Sequence, residues 1–112
     1  MTNRDLTLRF IERFCAGDVE GLVSILAENL QFRGPFHQFE SREGYLTCLR
    51  NDPPVPSQFQ VVSITESEDQ VAVFFEYQKS NESVLIAQLF KCFDNQITEI
   101  LLIFDGRGFV PD

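Results

Sequence analysis

Phe32-Arg-Gly-Pro-Phe-His-Gln-Phe-Glu-Ser-Arg-Glu-Gly-Tyr45 is the stretch whose reading decides the fold of this 112-residue chain. A first strand, about Leu30 to Arg33, stops at Gly34-Pro35, because proline has no N–H to give a ladder. A short aromatic loop follows. Ser41 then offers a hydroxyl to the first turn of a helix whose apolar residues, Tyr45, Leu46 and Leu49, recur at helical spacing. Upstream, Thr2 and Asp5 form a capping box for a helix carrying Leu6, Phe10, Ile11 and Phe14 on one face. Gly17 ends that helix, and Asp18 caps a second one with Val19, Leu22, Ile25 and Leu26 inward. The Ala16-Gly-Asp18 connection is short, so the two helices fold back on each other. Downstream, Asn51-Asp-Pro-Pro-Val-Pro-Ser57 breaks helix and strand alike. Four strands come next, at Phe59–Thr65, Val71–Tyr77, Val84–Phe93 and Ile97–Phe104. Their links, at 66–69, 80–82 and Asp94-Asn95, have hairpin length, so these strands are antiparallel neighbours. The order predicts an α+β fold, three N-terminal helices on a mostly antiparallel sheet.

Length and composition predict one domain spanning residues 1–112. The chain is 44% hydrophobic and 23% charged, as globular chains are. No apolar run approaches the ~20 residues that span a bilayer, and no basic-then-apolar leader is visible at the N-terminus. Net charge is −8, and residues 51–112 carry 3 basic against 10 acidic side chains. Such a strand-rich half repels phosphates, which argues against nucleic acid and anionic membranes as partners. Cys15, Cys48 and Cys92 are odd in number and far apart, which predicts free thiols and a reducing, cytoplasmic location. One histidine and scattered carboxylates offer no metal spacing. Gly106-Arg-Gly108 opens no helix and makes no phosphate loop. No cofactor is expected.

The last strand predicts a partner. A sheet with one wet face alternates apolar and polar residues, yet Ile100 to Phe104 is unbroken. The helices cover one face, so a second copy of the chain is expected on the other, as a homodimer through the outer sheet face. Glu76 belongs to that outer face, and a place beside Lys91 is expected for it.

The whole order resembles the nuclear transport factor 2-like superfamily, and within it SnoaL-like and ketosteroid isomerase-like proteins. The pieces that carry the resemblance are Phe10-Ile-Glu-Arg-Phe14 with Ala16-Gly-Asp18, Leu30-Gln-Phe-Arg-Gly-Pro-Phe36, Ser41-Arg-Glu-Gly-Tyr45, Phe90-Lys-Cys-Phe-Asp-Asn-Gln-Ile97 and Ile103-Phe-Asp105. It implies a cone-shaped, cystatin-like roll, a strongly curved sheet around a pocket closed by the helices, and frequent dimers. In ketosteroid isomerase-like enzymes a carboxylate base precedes the Pro-Phe of the first strand; here Gly34 stands there. A helix-one tyrosine donates to the oxyanion; here it is Phe10. A protonated aspartate on the fourth strand is the second donor. Gln88 matches it, or Leu89 in the neighbouring register; Gln88 is preferred because Phe90 then turns inward and Lys91 outward. Without a base near the reacting proton, that enzyme's proton transfer is not expected.

Twelve phenylalanines and no tryptophan suit either a solid core or an apolar pocket wall. The pocket reading draws its walls from Phe10, Phe14, Phe32, Phe36, Val73, Phe75, Tyr77, Phe90 and Phe104, with Gln88, His37 and Tyr45 as polar contacts. His37 and Asp105 are the candidate catalytic residues, with Glu40 or Asp105 as the group that would orient the imidazole. The same residues also read as an idle loop histidine and a turn aspartate. Two functions remain open. One is a pocket for a small apolar ligand, with or without an isomerase, cyclase or dehydratase step. The other is a dimerisation or interaction module with a solid core. A cavity below ~100 Å³ would favour the second.

Overall fold

The computed structural model describes residues 1–79 and 82–105. Helix α1 (Asn3–Cys15) starts at the expected capping box: Thr2 Oγ1 accepts from the Asp5 N–H at 3.0 Å. Its buried stripe is Leu6, Thr7, Phe10, Ile11 and Cys15. Gly17, at φ 76°, turns the chain in the left-handed region that glycine adopts without penalty.

The second helix is shorter and tighter than periodicity predicted. It is a 3₁₀ helix, Glu20–Ile25. Its N-cap is Val19, not the expected Asp18; Asp18, one residue earlier, accepts from the Gly21 N–H at 3.0 Å. Leu26 is not on its face, for it opens strand β1 (Leu26–Arg33), four residues before the expected start. The physical reason is pairing. Leu26 lies opposite Ile97, and both are fully buried, so the core draws Leu26 into the sheet. Helix α2 (Arg42–Asn51) is capped by Ser41, whose Oγ accepts from Gly44 N–H at 3.0 Å. Arg42 donates to the carbonyls of Val23 and Leu26, fixing α2 against the 3₁₀ segment.

The aromatic loop contains a two-residue strand, β2 (Gln38–Phe39), that the sequence reading placed in a loop. It pairs antiparallel with β1, Phe32 opposite Phe39, and Gly34 N–H donates to His37 O at 2.9 Å to close the turn. The four expected strands follow as β3 (Phe59–Ser67), β4 (Gln70–Lys79), β5 (Glu82–Phe93) and β6 (Gln96–Phe104). The 66–69 link tightens to Glu68-Asp69, with Glu68 at φ 54°. Asp94 and Asn95 form the predicted two-residue turn, at φ 53° and 61°. Of the third link, Ser80 and Asn81 lie outside the described residues, as does Gly106-Arg-Gly108.

The sheet runs β2-β1-β6-β5-β4-β3, antiparallel except for β1 beside β6. Register shifts at Val62 in β3 and Thr98 in β6 are bulges that bend it. The helices lie against one face, and the result is the cone-shaped α+β roll. Among the described residues no helix is long and apolar enough to cross a membrane. The other face is bare in the single chain, with Phe74, Leu85 and Ile103 exposed. Glu76 is not beside Lys91. It sits opposite Leu85, six positions up the strand from the Gln70–Lys91 pair, and Lys91 instead meets Glu99 at 3.7 Å.

Candidate functional site

Strand alternation and register build the inner face in rows. Val71, Phe90 and Ile100 stand side by side on β4, β5 and β6; so do Val73, Gln88 and Leu102, and then Phe75, Ile86 and Phe104. The first row is solid core. Phe90 is fully buried and meets Phe10 edge-on, ring centroids 5.5 Å apart. Towards the second and third rows the helices and the β1–β2 turn stand clear of the sheet, and a cavity of about 250 Å³ opens.

Four elements wall it. Helix α1 gives Phe10, Ile11, Phe14 and Cys15. The β1–β2 turn gives Phe32, Gly34, Phe36, His37 and Phe39. Helix α2 gives Tyr45, Cys48 and Leu49, and the sheet gives Phe75, Tyr77, Ile86, Gln88, Leu102 and Phe104. Val73 and Phe90, expected in the wall, do not line the cavity; both are fully buried in the core. Ile11, Phe39, Ile86 and Leu102 were not expected in the wall, although strand alternation puts Ile86 and Leu102 on the same face as Gln88 and Phe104. Gly34, Phe10 and Gln88, where the resemblance puts a base and two donors, all line this one cavity. A Cβ on Gly34 would approach the Phe32 ring to 3.2 Å, so the position is tight as well as chemically empty.

Aromatic contacts stiffen the wall. Phe32 stacks on Tyr45 at 4.7 Å, and Phe36, half exposed, meets Phe104 edge-on at 5.8 Å near the mouth. His37 is exposed there and stacks on Phe39 at 5.7 Å. Among the described residues, Glu40 makes no hydrogen bond or ion pair with it. Asp105 follows β6, is exposed, and does not line the cavity. The two catalytic candidates are thus not brought together inside it.

The polar groups inside are few. No Asp, Glu, Lys or Arg is among the described residues of the wall. Tyr45 is almost wholly buried, and burial pushes its phenol far above the usual range, so it stays protonated. Its hydroxyl has no hydrogen-bond partner among the described residues. Tyr77 is engaged, hydrogen bonded to the Ser57 hydroxyl at 3.2 Å. Burial raises the Cys15 thiol from 9.0 to about 11, which makes it a poor nucleophile. Gln88 is 8% exposed, and its Oε1 is buried with no donor among the described residues. Among the described residues, no cluster of His, Cys, Asp and Glu has a metal-holding arrangement.

Comparison with known proteins agrees with this architecture. An NTF2-like protein of unknown function from Cytophaga hutchinsonii superposes with a TM-score of 0.82 at 23% identity, covering 97% of this chain and 95% of that one. An LEH-like epoxide hydrolase from M. tuberculosis gives 0.76 at 16% identity, over 92% and 82%. TerC co-crystallised with polyporic acid gives 0.77 at 20% identity, over 96% and 94%. No curated protein matches significantly. Residues 7–100 match the SnoaL-like domain. The chain therefore belongs to the SnoaL-like family and has the nuclear transport factor 2-like fold.

Proposed function

We propose that this SnoaL-like chain binds a small, uncharged, largely apolar molecule in the cavity between α1, α2 and the curved sheet. The observation that carries this reading is the cavity of about 250 Å³ with apolar and aromatic walls. A solid-core interaction module would fill that space, because voids in a core lose dispersion contacts. TerC, a structural neighbour, was co-crystallised with polyporic acid, which supports small-molecule binding on this fold. An isomerase, cyclase or dehydratase step in this cavity would use His37 at the mouth, with Asp105 as the second candidate. His37→Ala and Asp105→Asn would then lower turnover of an isomerised, cyclised or dehydrated substrate. Three free thiols fit a reducing, cytoplasmic setting.

The test is ligand-induced stabilisation. A ligand bound only by the folded state raises its stability by RT ln(1 + [L]/Kd), about 2.7 kcal/mol at a hundredfold excess over Kd. p-Xylene at millimolar concentration is expected to raise the unfolding midpoint. A midpoint unmoved by p-xylene, p-cresol and indole alike would contradict the reading.

A further inference from the structure

Gln88 is out of place for folding alone. It stands between Val73 and Leu102 in a cross-strand row, and the rows on either side, Val71–Phe90–Ile100 and Phe75–Ile86–Phe104, are wholly apolar. Leucine would fill the position without a polar group to satisfy. The side chain is more than nine-tenths buried and lines the cavity, yet its Oε1 meets no donor among the described residues. A buried acceptor left unmade carries the full desolvation penalty of the group. Residues that break a local folding rule in this way mark functional positions.

We propose that the cavity selects a neutral molecule of one or two rings bearing a hydroxyl group, and that Gln88 is the residue that recognises the hydroxyl. This rests on the ligand-binding reading of the cavity. Size sets the ring count. An apolar cavity of about 150 Å³ holds benzene, so about 250 Å³ holds one ring with substituents or two fused rings. Charge sets the neutrality. The described wall holds no Asp, Glu, Lys or Arg to pair a ligand's charge, and an unpaired charge is strongly disfavoured in such a space. The amide sets the functional group. It presents an acceptor and two donors and can exchange them by a half-turn of its last torsion. A hydroxyl both donates and accepts, so it satisfies the amide in either orientation. An ether only accepts, and a hydrocarbon does neither.

The test compares p-cresol with p-xylene, which differ by a hydroxyl in place of a methyl group. Dissociation constants of both are measured by calorimetric titration for the parent chain, Gln88→Leu and Gln88→Met. The expected result is that the preference for p-cresol over p-xylene falls about tenfold or more in both variants, the size of one buried hydrogen bond. Gln88→Met keeps the side-chain length, so it reads the polar contact even if leucine repacks the row. A preference unchanged in both variants would overturn the role of Gln88 and leave the cavity as a ligand site. Failure of both probes to bind the parent chain would overturn the ligand reading itself.

Discussion

Single side chains in this molecule are set by whether water reaches them. Burial raises the thiols of Cys15 and Cys92 from 9.0 to about 11, with Asp69 adding to the effect at Cys92. The folded state therefore holds these protons more tightly than the unfolded chain does. Their contribution is complete below pH 9 and is lost as pH rises towards 11. Two pKa units correspond to about 2.7 kcal/mol per thiol as an upper limit. Urea denaturation should show stability falling between about pH 9 and 11, and falling less steeply in a Cys15→Ala, Cys92→Ala variant. An equal slope in the variant would assign the alkaline loss elsewhere. At this scale the sequence is legible where alternation governs. Phe75, Tyr77, Gln88 and Phe104 share one face because strand period forces it. It is not legible in depth: Val73 and Phe90 lie on that same face, but only the height of α1 above the sheet separates core from cavity wall.

Elements follow local chemistry closely wherever the chain must turn or start. The Thr2–Asp5 box, the Ser41 cap and the Asp94-Asn95 turn each sit where the residue types demand them. Glu68 and Asn95 hold φ of 54° and 61°, a region in which a side chain other than glycine is disfavoured by roughly 1–2 kcal/mol, and less for asparagine. Glu68→Gly should therefore stabilise the chain by about 0.5–1 kcal/mol, with Asn95→Gly gaining less. Asn95→Val should lose at least about 1 kcal/mol. Thermal unfolding ranks the three, and a stabilising valine would contradict the turn geometry. Two elements were not legible, for opposite reasons. The second helix ends at Ile25 because tertiary pairing with Ile97 claims Leu26, which helical spacing had placed on the helix. Strand β2 is only Gln38–Phe39, too short for any period to register.

The whole molecule presents two faces of one curved sheet. The outer one carries the row Phe74–Ala87–Ile103, with Phe74 46% and Ile103 58% exposed, and Leu85 beside it at 56%. We propose that a second copy of the chain covers it, since an apolar row on a bare sheet face is a common mark of association. Sedimentation at micromolar concentration should show a dimer, and Phe74→Glu with Ile103→Lys should give a folded monomer; a monomeric parent chain would remove the proposal. The inner face holds the central claim, that the cavity takes a small ring molecule. Methyl-labelled nuclear magnetic resonance during titration with p-xylene tests it most directly. Shifts should concentrate on Ile11, Leu49, Ile86 and Leu102, which line the cavity, and spare Leu22 and Ile97 in the core. Shifts confined to Leu85 and Ile103 on the outer face, or none with p-xylene, p-cresol or indole, would contradict it.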